Sequence, residues 1–156
     1  MLDKSRRFHV LFGLVTIAGG LLAKLSYAAA SRKAFEANST AEALKNFSEK
    51  DVPEVSNRLL IGVPEISAEP DRIAVHLRSE LPGTDMMLLM SANTVPPVLA
   101  QFTIPIGTEA DISTQVKLKD TTTLQLVVRA GGKLYTAQKE VKIAVPLDNK
   151  LLTEYS

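Results

Sequence analysis

Few side chains in this sequence can carry covalent or metal chemistry. There is no cysteine, and the two histidines are His9 and His76. A nucleophilic triad needs a serine or cysteine with a paired base, and one histidine without a nucleophile elbow supplies no such pair. His76 falls on the polar face of an alternating segment, where a solvated or hydrogen-bonded histidine is the ordinary outcome. Met86, Met87 and Met90 are soft thioethers of the kind that suits copper(I). Met86 and Met90 share a face with Leu88, while Met87 points the other way, and such a Met/Leu mixture belongs to a core or an interface. Asp71, Asp85, Asp111 and Asp148 flank turns, where aspartate bonds the local backbone. The inventory implies no catalytic residue, no cofactor and no metal. It favours a non-enzymatic protein that works by binding.

These side chains ride on short strands. Arg58 to Val63 is the first. Arg72 to Ser79 alternates, with Ile73, Val75 and Leu77 on one face. Met86 to Ala92 is apolar on both faces, so both need cover. Val98 to Ile104 sets Val98, Ala100, Phe102 and Ile104 on one face. Ile112 to Leu118 and Thr122 to Ala130 follow. Gly131-Gly132 marks a hairpin that needs positive φ. Lys133 to Val145 returns with Tyr135, Ala137, Val141, Ile143 and Val145 in phase. Lys139 shares that phase, so the strand must bulge there or expose it. About seven short strands, with turn signals every ten or so residues, predict an all-β, immunoglobulin-like β-sandwich. One short N-terminal helix precedes them. Ser39-Thr40-Ala41-Glu42 reads as a capping box in which Glu42 returns to the Ser39 amide. Ala41, Leu44 and Phe47 then share a face, and Val52-Pro53 ends the helix.

The N-terminus has the pattern of an export signal. Lys4, Arg6 and Arg7 precede an apolar run from Val10 to Leu22, and Ala28-Ala29-Ala30 offers a cleavage site between Ala30 and Ser31. The run is short for a membrane span. Ser5-Arg6-Arg7-Phe8 resembles a twin-arginine signal, although the aromatic follows the arginines directly; the general secretory route stays open. A retained N-terminal anchor is the competing interpretation. Cleavage after Ala30 leaves 126 residues with 14 Lys/Arg and 16 Asp/Glu. That near-neutral domain has no basic face or aromatic platform for nucleic acid. Without cysteine, an exported domain of this size relies on its core alone. The expected organisation is a signal at 1–30, a helical segment at 31–52, a β domain at 53–146 and a tail at 147–156. Location in the periplasm follows, with no stable membrane insertion after cleavage.

The order of several short motifs resembles the sulfur-oxidation carrier proteins of the SoxY family. They are Val63-Pro64-Glu65-Ile66, Ser79-Glu80-Leu81-Pro82-Gly83 and Val141-Lys142-Ile143-Ala144-Val145. The most specific part is Leu81-Pro82-Gly83 followed by Met86 to Met90, then Asn93 and Pro96. In that family the last strand runs into a flexible Gly-Gly-Cys-Gly-Gly arm whose cysteine holds the sulfur substrate. Here the strand runs into Pro146-Leu147-Asp148-Asn149, and no carrier cysteine exists. The resemblance therefore implies a sulfur-oxidation subunit that acts by protein binding. It also implies a heterodimer with a small β-sandwich partner, SoxZ, and contact with other sulfur-oxidation proteins. The surplus apolar face of Met86 to Ala92 needs cover from the N-terminal helix or another subunit, and the partner interface is expected partly at Met87 and Leu89 or on a surface next to them, with Leu151 and Leu152 anchoring the tail. The alternative is a stand-alone periplasmic binding or chaperone-like sandwich that shares only the fold.

Overall fold

Alternating apolar residues set the strands, and the turn residues between them set the order. The computed structural model describes residues 32–48 and 51–144. A helical stretch at 32–35 precedes helix α1 (Thr40–Phe47), and β1 (Glu54–Val55), β2 (Leu59–Gly62), β3 (Ile66–Ser67), β4 (Ile73–Ser79) and β5 (Thr84–Ser91) follow. β6 (Val98–Thr103), β7 (Ala110–Val116), β8 (Thr122–Ala130) and β9 (Lys133–Ile143) complete the fold. One sheet runs β1-β9-β8-β5-β6, with β3 also on β9; the second runs β2-β4-β7. The two sheets form the expected sandwich. The seven expected strands are all present. β1 and β3 add to them, but at two residues each they are too short to show a period. β8 and β9 meet at Gly131 and Gly132, with φ of 58° and 78°, the positive values that a two-residue hairpin turn demands.

Two apolar clusters hold the layers. The first lies between the sheets and includes Leu77, Met87, Leu89, Leu126 and Val128. The second lies on the outer face of the larger sheet, where Met86, Leu88, Met90, Val127 and Leu134 meet Ala34, Ala37, Ala43 and Phe47. The N-terminal segment therefore covers the second face of β5 from within the same chain. Two hydroxyls buried at the end of β5 satisfy each other, Ser91 Oγ and Thr122 Oγ1 at 2.9 Å, which removes the cost of an orphaned polar group.

Several local expectations are corrected. Ser39 caps α1, accepting from the Glu42 amide at 3.2 Å. The Glu42 carboxylate, however, accepts from the Asn38 amide at 2.9 Å, not from that of Ser39. The helix stops at Phe47, well before Val52, with the Ser48 amide bonding the Leu44 carbonyl. Its buried stripe is Ala43 and Phe47 with Leu44 beside them, and Ala41 is exposed. In β6 the register shifts between Leu89 and Met90, so Val98 pairs with Met90 while Ala100 and Phe102 pair with Leu89 and Met87. This bulge turns Val98 to the outer cluster, because an extra residue reverses the alternation beyond it. β9 solves the Lys139 conflict by exposure; its pairing with β8 runs without a register shift.

The helix contributes to stability through its apolar stripe, since eight residues cannot form a stable helix alone. Phe47→Ala should cost about 3 kcal/mol by opening a cavity over Met86 and Leu88. Ser39→Ala should cost about 1 kcal/mol through loss of the cap. Urea denaturation of each variant measures both, and a Phe47→Ala loss under about 1 kcal/mol would mean the helix does not seal the sheet.

Candidate functional site

β5 lies between β8 and β6, so its backbone is paired on both sides. Met87 lies opposite Val128 and Phe102, and Leu89 opposite Leu126 and Ala100. Both side chains point between the sheets and are 0% exposed. The expectation that Met87 and Leu89 form a partner surface is therefore corrected: no partner can reach them while the sandwich is closed. The apolar surplus that suggested an interface is consumed by two internal cores. Arg6, Arg7, Ala28, Ala30, Leu151 and Leu152 lie outside the described residues.

The polar side chains set aside at the level of sequence find structural partners. His76 on β4 and Asp111 on β7 are cross-strand neighbours of a half-exposed pair, with Nε2 2.6 Å from Oδ1. Asp85 accepts from Arg129 Nε at 2.7 Å, and Asp71 pairs with Lys117. Surface pairs of this kind contribute little, typically under about 1 kcal/mol. Among the described residues no three His, Cys, Asp or Glu side chains gather at one point. No described helix is long and apolar enough to cross a membrane.

The residues of the most specific motif are structural. Leu81 packs against the inter-sheet core. Gly83 takes φ 71°, and its carbonyl accepts from the Gly131 amide at 3.2 Å, tying the β4–β5 turn to the β8–β9 turn. Asn93 Nδ2 donates to the Thr121 carbonyl at 2.9 Å, and its amide donates to Thr122 Oγ1 at 3.2 Å. The Pro97 carbonyl accepts from the Ser91 amide at 2.8 Å, after a cis bond between Val95 and Pro96. These residues fix the loops at both ends of β5.

An open cleft of about 730 Å³ lies beside the Leu81-Pro82-Gly83 turn, with Arg58, Arg78, Glu80, Asp85, Glu109 and Asp111 on its walls. Acidic side chains outnumber basic ones there. The remaining feature is the edge where β1 and β3 join β9. Val52, Val55, Leu60 and Ile66 are all exposed there or on the adjoining strand β2. Leu60 falls in the first expected strand and Ile66 in the Val63-Pro64-Glu65-Ile66 motif, but β1 and β3 are too short for a period, and seven large apolar residues lie between 52 and 66, so the sequence does not single out the exposed ones.

Comparison with known proteins gives a consistent result. The family described as sulfur oxidation protein SoxY matches residues 44–145. The structure resembles the sulfur carrier protein SoxY from Chlorobium limicola f thiosulfatophilum, with a TM-score of 0.63 and 26% identity. That match covers 67% of this chain and 96% of the other. It also resembles the superoxide reductase (neelaredoxin) from Ignicoccus hospitalis, with a TM-score of 0.51 and 20% identity over 56% of this chain and 81% of the other. The latter likeness concerns the sandwich alone. No curated protein matches the sequence.

Leu89→Asp should abolish folding, because it buries an unpaired carboxylate between two sheets. Met87→Leu should cost under about 1.5 kcal/mol, as volume-conserving core swaps do. Soluble yield and circular dichroism decide the matter; a folded, soluble Leu89→Asp protein would restore Met87 and Leu89 as a surface.

Proposed function

The chain belongs to the SoxY family, and we propose that it is a non-enzymatic subunit of a sulfur-compound oxidation system that acts by binding other proteins. The family match across 44–145 in a chain without cysteine carries this reading. Sulfur carriage through a protein side chain needs a thiolate that can attack and be attacked. Serine, threonine and tyrosine hydroxyls cannot make the sulfur–sulfur bond. Any carrier cysteine must then come from another subunit. A heterodimer with a SoxZ-like β-sandwich fits this role. The basic n-region, apolar run and Ala28-Ala29-Ala30 support export to the periplasm with cleavage after Ala30.

Intact-mass spectrometry of the exported protein, incubated with thiosulfate and its oxidising cytochrome, tests two parts of this reading together. The expected mass begins at Ser31 and carries no added sulfur. A stable sulfur adduct would overturn the binding-only role, and a mass that retains residues 1–30 would overturn cleavage.

Co-expression with a SoxZ-like subunit, followed by size-exclusion chromatography with light scattering, should give a one-to-one complex. Elution of this chain as a monomer beside unbound partner would overturn the heterodimer.

A further inference from the structure

Edge strands invite pairing with other chains, and the edges of this sandwich are protected unequally. β1 and β3 have two residues each, and β2 has four and ends at Gly62. β6 carries the register shift opposite Leu89 and Met90. The open part of β9 carries Lys139, Glu140 and Lys142. β7 has none of these devices. Its seven residues pair with β4 without a register shift, and they include no proline, no lysine and one charged residue, Asp111. Among the described residues no strand pairs with its other side.

The side chains of β7 fall in two rows. Ala110, Ile112, Thr114 and Val116 turn toward the other sheet; the outer two are buried and the inner two half-buried. Asp111, Ser113 and Gln115 are exposed on the opposite face, and the exposed Glu109 and Lys117 extend that row at either end. The row is thus acidic at its start, neutral at its centre and basic at its end. Asp111 is held by His76 and Lys117 by Asp71, in pairs that solvent reaches.

We propose that β7 pairs antiparallel with β7 of a second copy of this chain, about a two-fold axis at Ser113, and joins the two three-stranded sheets into one. The exposed row selects this occupant. In this register Ser113 lies opposite Ser113 of the second copy, Asp111 opposite its Gln115, and Glu109 opposite its Lys117. The two-fold axis makes each unequal contact twice. Opposite charges meet at both ends, no like charges meet, and between them a carboxylate faces an amide donor. In the other row Ile112 meets Thr114 and Ala110 meets Val116, so the half-buried pair gains cover. A parallel pairing in register would set Glu109 on Glu109 and Lys117 on Lys117. A foreign strand would need the same gradient of charge, which a second copy already has. The pairing stands apart from the sulfur-oxidation reading, since it concerns this chain alone.

Size-exclusion chromatography with light scattering on the exported protein alone should show a dimer that dissociates on dilution. Glu109→Lys and Lys117→Glu each set like charges opposite one another twice, and each should raise the dissociation constant about tenfold. The double variant Glu109→Lys/Lys117→Glu restores the match and should return it to within about twofold of the parent. The absence of cysteine adds a positional readout without background. Ser113→Cys should give a disulfide-linked dimer under mild oxidation, because the axis brings the two Cα atoms within disulfide range. Gln115→Cys, which lies opposite Asp111, should give about tenfold less. A monomer at every concentration would overturn the pairing. So would a dimer unmoved by the single reversals or not restored by the double one, or equal cross-linking at both positions. Protection of the β7 amides from hydrogen exchange that appears only when a partner subunit is added would assign the edge to that partner and overturn the pairing equally.

Discussion

Strand β5 offers water no apolar-free face, and the rest of the domain is arranged around that constraint. Met86 to Met90 are all fully buried. Met87 and Leu89 require a second sheet opposite them, which β2, β4 and β7 supply. Met86, Leu88 and Met90 require a second cover, and the helix with its preceding residues supplies it through Ala34, Ala37, Ala43 and Phe47. The small alanines let the helix approach the sheet closely, and Phe47 fills the space they leave. A sandwich with one solvated outer face would expose the methionines. Residues 34–47 are therefore part of the hydrophobic core.

The same constraint separates what the sequence reveals from what it hides. Period-2 alternation marks β4, β7, β8 and β9 because each has a polar face to contrast with its buried one. Gly131-Gly132 marks the hairpin because only glycine takes both positive φ values without cost. The two-sided burial of β5 is equally visible. What covers its second face is not, since a helix of the same chain and a separate subunit both satisfy an apolar strand. Nor does an equally apolar strand reveal which of its faces meets the second sheet, and this led from a correct reading of burial to a mistaken interface at Met87 and Leu89, which pack between the sheets. Val98 shows a second limit. A bulge leaves no mark in composition, so the alternation carries a residue to the wrong face. β1 and β3 show a third, because a two-residue strand is defined by its partner and not by its own pattern.

The edge residues follow from how the chain changes sheets. After β1 it leaves β9, crosses to β2 in the other sheet, and comes back as β3. The crossing opens a gap in the pairing of β9, between Thr136 and Lys142. A gap of this kind exposes backbone donors and acceptors, which proteins manage by charge or by cover. Lys139, Glu140 and Lys142 provide charge. Val55 and Ile66, standing exposed on either side, are the residues that charge does not explain.

Fold and chemistry occupy separate parts of this architecture. The residues that carry the resemblance build the loops around β5: Leu81 packs against the core, Gly83 fastens two turns, and Asn93 ties the β5–β6 loop to the start of β8. Covalent sulfur chemistry needs a thiolate on a segment free to enter other active sites, and glycine gives that segment its reach. Such a segment can follow β9 without touching either core. In this sequence Pro146 and two leucines follow β9, and the sequence holds no cysteine. Under the binding role proposed above, this chain keeps the family's fold while the covalent step falls to a protein that has the cysteine.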